Sequence, residues 1–172
     1  MKFIILNGSP KGNKSITLQY LFYIKKYLPE HEYIIYNVGR KIKKIEKDET
    51  FFNEIMESIN ESDGIIWIYP VYIMLIPSQL KRFIELIFER KGEKNFKNKY
   101  ATSISTSERF YDHTAHNFIH GISEDLNLRY YKGFSARMFD LMENENRQNL
   151  LKFIESYFKQ CEIGRASCRE RV

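Results

Sequence analysis

The sequence predicts an α/β domain built around a parallel sheet, and three observations carry that prediction. Apolar runs of strand length alternate along the chain with stretches of helical period, the pattern of successive βαβ units. The run GIIWIY at 64–69 is apolar on both faces, as a central parallel strand covered by helices must be. A loop rich in small polar residues, NGSPKGNKSIT at 7–17, follows the first apolar run directly and leads into a helical pattern.

The strands predicted in order are 2–6, 33–38, 64–69, 100–106 and 130–135. A first helix starts near Ser15, where a hydroxyl residue stands at the boundary. The segment GRKIKKIEKD at 39–48 reads as a charged connection with a solvated lysine face, leading to a helix over 50–60. Leu80, Phe83, Ile84, Ile87 and Phe88 repeat at i, i+3, i+4, i+7 and i+8 and form one apolar helical stripe. Pro77 suits the first turn of that helix because it has no N–H to lose there. Phe118, Ile119, Ile122 and Leu126 mark a fourth helix, and Leu150, Leu151, Ile154, Tyr157 and Phe158 a fifth.

The chain has 172 residues, but its last stretch, EIGRASCRERV at 162–172, resembles a translated sequencing-adapter oligonucleotide. One domain is therefore expected over 1–161, with 162–172 as a non-native tail beyond which the natural sequence continues. The formal charge is +5; three arginines and two glutamates fall in the tail, leaving +4 for the domain. That excess is mild and shows no basic stripe with interleaved aromatics, so no nucleic-acid partner is expected. Cys161 is the only cysteine outside the tail, which excludes a disulfide, zinc or iron–sulfur framework within 1–161. The longest apolar run, 65–77, is too short to span a membrane and is broken by Pro70. With no signal-peptide pattern at the start, a cytoplasmic protein is expected.

In an open α/β sheet, ligands bind beyond the carboxyl ends of the strands. The first such loop comes one residue short of a triphosphate P-loop, with Asn13 where the second glycine belongs before Lys14 and Ser15. A triphosphate site also needs an acid at the end of a neighbouring strand to hold magnesium. The third strand ends instead in Tyr69 and Pro70, and Asp63 lies at its other end. A monophosphate asks for less: hydroxyls, free backbone N–H groups and a helix N-terminus. Ser9, Ser15 and Thr17 offer the hydroxyls and Lys11 a charge, although Ser15 alone reads equally well as a helix cap. After the third strand, YPVYIMLIPSQLKRF places Tyr72 at the same edge, either to stack on a flat ring or as a core plug.

Together, GSPKGNKSIT and SDGIIWIYPVYIMLIPSQLKRFIE resemble the flavodoxin-like NADPH-dependent FMN reductase family. The resemblance spans about residues 1–160, and TSISTSERFYDHTAHNFIHGISEDL further resembles a clostridial-type subgroup. It implies a three-layer sandwich with a five-stranded parallel sheet in the order 2-1-3-4-5, FMN as cofactor and NAD(P)H as co-substrate. Carried over residue by residue, it assigns Ser9, Lys11, Ser15, Thr17 and the Ile16 backbone to the FMN phosphate. Pro70, Val71, Tyr72 and Ile73 would flank the flavin ring, and Ser105, Thr106 and Ser107 would form the third flavin loop. Ile16 departs from the asparagine common in relatives, and IMLI after Tyr72 is bulkier than their glycine and serine. The implied activity is NAD(P)H oxidation with a quinone, flavin or other small acceptor, in a homodimer. A flavodoxin-type electron carrier and a flavin-less binding module are the alternatives.

His113, His116 and His120 fall at i, i+3 and i+7 of the fourth helix, a spacing that fits a metal cluster with Glu108. The preferred reading makes Asp112 and His113 part of the redox pocket; capping by Asp112 and plain packing are the alternatives.

Overall fold

The computed structural model of the protein describes residues 1–108 and 111–169. Five strands form one parallel sheet: β1 (Lys2–Asn7), β2 (Glu32–Tyr36), β3 (Gly64–Pro70), β4 (Tyr100–Ser107) and β5 (Arg129–Arg137). Their order is β2-β1-β3-β4-β5, the flavodoxin-like order. β3 is buried along all of its length except Pro70, which matches its unbroken apolar sequence.

Six α-helices cover the two faces: α1 (Ile16–Tyr27), α2 (Val38–Lys47), α3 (Glu49–Asn60), α4 (Ser78–Glu89), α5 (His113–Asp125) and α6 (Asn144–Arg169). The strand period of two divides the core. Ile4 and Leu6 of β1 pack with α2, α3, α4 and α5, whereas Phe3 and Ile5 pack with α1 and α6. Among the described residues, no helix is long and apolar enough to cross a membrane.

One element differs from the sequence expectation. The stretch expected as a charged connection, 39–48, is mostly the helix α2. Val38, Ile42 and Ile45 recur at i, i+4 and i+7 and turn inward, with Val38 and Ile45 fully buried, while the lysines between them stay exposed. Asp48 then caps α3, its Oδ1 accepting the Phe51 N–H at 2.9 Å.

At the far end, α6 runs unbroken through 162–169 of the adapter-like stretch. Gly164 is buried there, and a Cβ on it would fall 2.3 Å from the Tyr100 ring. Residues 170–172 of that stretch lie outside the described residues.

Candidate active-site cleft

The carboxyl ends of β1, β3, β4 and β5 converge on one cleft with a cavity of about 210 Å³. Its floor is the loop between β1 and α1, and that loop is shaped by asparagines. Asn7 Nδ2 donates to the Gly12 carbonyl at 3.2 Å and to Asn37 Oδ1 at 2.8 Å, and Asn7 Oδ1 accepts the Ser9 N–H at 3.1 Å. Asn37 Nδ2 in turn donates to Asn13 Oδ1 at 2.7 Å. Asn13, the residue that breaks the P-loop pattern, thus ties the loop to the start of α2.

Two glycines make the loop geometry accessible. Gly12 sits at φ +55, a left-handed conformation that favours glycine, and a Cβ there would fall 2.5 Å from Arg40 Cδ. Gly39, in the first turn of α2, lies against the loop itself: a Cβ would fall 2.1 Å from the Gly8 carbonyl oxygen.

Ser9, Ser15 and Thr17 are buried and line the cleft, with the exposed Lys11 and Ile16 beside them. Ser15 occupies the N-cap position of α1 without making a side-chain cap bond. Its own N–H is taken by the Gly12 carbonyl at 3.0 Å, while the first N–H groups of α1 have no intrahelical acceptor. A buried hydroxyl and an uncapped helix end therefore meet at one spot, which is the chemistry of a phosphate cradle.

Pro70, Val71 and Tyr72 form the second wall and Thr106, Ser107 and Glu108 the third. The walls are joined by Val71 N–H to the Thr106 carbonyl at 2.8 Å, and Thr106 Oγ1 meets Thr17 Oγ1 at 2.5 Å across the floor. Met138, just past β5, completes the lining. Behind it, Tyr20 of α1 donates its hydroxyl to the Arg137 carbonyl at 2.6 Å. Burial first, and the Asp140 carboxylate second, push the Tyr20 phenol up to about 12.

Tyr72 and Leu75 pair across a two-residue turn in which Ile73 and Met74 have φ of 48 and 73. Such a conformation is unusual for a β-branched residue. The turn presents Tyr72, Ile73, Met74 and Leu75 to solvent, Ile73 being 94% exposed.

Of the residues the sequence singled out, Ser9, Lys11, Ser15, Ile16, Thr17, Pro70, Val71, Tyr72, Thr106 and Ser107 are brought together in the cleft. Ile73 stands at the tip of the turn and does not line it. Ser105 points to the other side of β4, its Oγ 2.9 Å from His116 Nε2. Asp112 precedes α5 without a side-chain cap bond, contrary to the capping alternative, and neither it nor the exposed His113 lines the cleft.

The three histidines do not converge. His113 pairs with the Tyr111 ring, His116 turns into the sheet, and His120 stacks on Tyr130 at 4.8 Å. No group of three His, Cys, Asp or Glu side chains suited to a metal ion occurs among the described residues. Sequence reasoning named Glu108 only as a metal ligand and missed it, Met138 and the asparagine frame as parts of the cleft. Glu108 adjoins a predicted site residue and Met138 follows a strand at the ligand-binding edge, so position alone was a signal for both.

The sequence profile described as NADPH-dependent FMN reductase matches residues 1–120. A search of curated proteins finds no match. Among solved structures, the chain is similar to the flavoenzyme NAD(P)H:(acceptor) oxidoreductase FerB from Paracoccus denitrificans, with a TM-score of 0.76 and 15% identity over 95% of this chain and 98% of that one. It is also similar to the apo form of the NADH:FMN oxidoreductase EmoB, with a TM-score of 0.73 and 15% identity over 91% of this chain and 87% of that one. A third is the FMN-dependent NADH-azoreductase from Bacillus anthracis str. Ames Ancestor in complex with FMN, with a TM-score of 0.67 and 15% identity over 94% and 100%. At these identities the structures speak for the fold.

Proposed function

Because the chain belongs to the NADPH-dependent FMN reductase family, we propose that it oxidises NAD(P)H and passes the electrons to a small flat acceptor, a quinone or a flavin, in the cytoplasm. The observation that carries this reading is the uncapped start of α1 facing the buried Ser9, Ser15 and Thr17. That set fits a terminal phosphate monoester: Ser15, Thr17 and the first N–H groups of α1 would hold its oxygens, and Lys11 would balance its charge. Pro70, Val71, Tyr72, Thr106 and Ser107 would flank the ring system at the other end of the cleft. When bound, FMN supplies the two-electron redox chemistry; the protein binds, orients and shields it.

The turn 72–75 supports an apolar occupant at the cleft mouth. Four exposed apolar side chains in succession offer a surface for an aromatic acceptor, and their exposure suits burial against a second copy in a homodimer. Steady-state oxidation of NADPH with a soluble naphthoquinone tests the activity. Turnover well above that of free FMN is expected; a rate equal to that of free FMN would leave only an electron carrier.

The rim also favours NADPH over NADH. Lys14 and Arg40 are exposed around the phosphate loop, and among the described residues neither makes an ion pair. An additional phosphate on the nicotinamide nucleotide would find these charges unopposed. Arg40→Ala is expected to raise KM for NADPH roughly fivefold, with KM for NADH and kcat little changed. The effect should shrink as salt is added, and equal changes in both KM values would refute the assignment.

A further inference from the structure

We propose that His116, outside the cleft, is a positioning residue for it, and that the neutral imidazole is the form that holds the flavin walls in place. The inference rests on the FMN reading above.

His116 lies on α5, and its ring bridges β3 and β4 directly and reaches β5 through Ser103. Nδ1 is 2.8 Å from Ser103 Oγ of β4 and 3.1 Å from the Tyr69 hydroxyl of β3, and Nε2 is 2.9 Å from Ser105 Oγ of β4. Ser103 Oγ continues to the Tyr130 hydroxyl of β5 at 2.5 Å. Room for the ring comes from Gly133 of β5, where a Cβ would fall 2.1 Å from Nδ1. A glycine in mid-strand weakens a strand, and a close approach of this kind is a physical reason for one.

The bridged pair connects this cluster to the cleft. Tyr69 and Ser105 are register partners, and the next pair along is Pro70 and Thr106. Alternation along a strand sends the first pair to α5 and the second to the opposite side. Pro70 and Thr106 both line the cleft. His116 therefore ties together the last rungs of β3 and β4 before the two flavin walls begin.

Among the described residues, the titratable groups facing His116 are Tyr69 from β3, Tyr130 from β5 through Ser103, and Asp112 at the start of its own helix, just before His113. From β4 it meets only the hydroxyls of Ser103 and Ser105. Tyr69, Ser103 and Ser105 are fully buried, so a cation would sit against groups that offer no hydrogen-bonded carboxylate. Burial accordingly lowers the His116 pKa from its ordinary 6.5, and the Asp112 charge partly offsets this. With the folded value depressed, the unfolded chain binds more protons below pH 6.5. The contribution of His116 is complete above that value and is lost as pH falls through the depressed one.

The test is the FMN dissociation constant, read by quenching of flavin fluorescence at about pH 7.5 and about pH 5.5. The wild type should bind severalfold more weakly at the acid pH. A phosphate monoester also titrates near pH 6, so the His116 part of that step is what His116→Asn removes. This variant should keep neutral-pH affinity within about threefold, because the amide still donates and accepts. Asp112→Asn should move the step to lower pH, because it removes the charge that favours the cation. His116→Phe should bind about tenfold more weakly at both pH values, since Tyr69 and Ser105 lose their partner. If it does not fold, the Asn variant decides. An unchanged acid step in His116→Asn would overturn the inference with the flavin reading intact; a wild type that binds no FMN at any pH would overturn both.

Discussion

Ser15→Ala is expected to weaken FMN binding about 10- to 100-fold while leaving the flavin-free protein within about 0.5 kcal/mol of wild-type stability. The two halves of this result come from one observation. Replacing a serine that caps a helix by alanine ordinarily costs about 0.5–2 kcal/mol. Ser15 stands at the cap position of α1 but makes no cap bond, so the folded protein has little to lose. Its hydroxyl instead lines the cleft, where a hydrogen bond to a phosphate oxygen would be charge-assisted and worth roughly 1.5–3 kcal/mol. Flavin titration and urea unfolding of the same variant read both quantities. Lost stability with unchanged affinity would return Ser15 to the capping role.

Gly39→Val is expected to cost about 3 kcal/mol or more in stability and to abolish measurable flavin binding. Its Cβ would fall 2.1 Å from the Gly8 carbonyl oxygen and 2.9 Å from the Ser9 carbonyl carbon. Backbone cannot rotate away as a flexible side chain can, so α2 must lift off the phosphate loop. That movement would also separate Asn37 from Asn7 and Asn13, the bonds that shape the loop. Denaturant unfolding measures the loss, and a stable variant that still binds FMN would contradict the role given to α2.

The same two elements show what was legible in the sequence. The parallel sheet could be read because its strands are apolar runs bounded by turns, and β3 carries the signal on both faces. The strand order came through the family resemblance, since no single run encodes its neighbours. α2 was hidden by composition. Five of its ten residues are lysine or arginine, and the three inward residues Val38, Ile42 and Ile45 fall across the boundary drawn for a charged loop.

At the site, ten predicted residues meet because strand ends in this topology face one edge. Ser105 was misplaced for a simpler reason. Adjacent residues of a strand face opposite ways, so Ser105, still inside β4, turns away from the side that Thr106 faces, whereas Ser107 ends the strand at the cleft edge. The histidine spacing predicted one face of a helix, but it could not say which ring the sheet would accept. Gly133, seventeen residues further on, makes room for His116 alone, and nothing local to α5 announces it.

The central claim is that the loop between β1 and α1 holds the phosphate of FMN. Parallel titrations of the flavin-free protein with FMN and with riboflavin, which differ by that phosphate, test it most directly. FMN should quench stoichiometrically and bind at least about 100-fold more tightly than riboflavin, the effect of two or more charge-assisted hydrogen bonds. Equal affinity for the two flavins, or no binding of either, would contradict it.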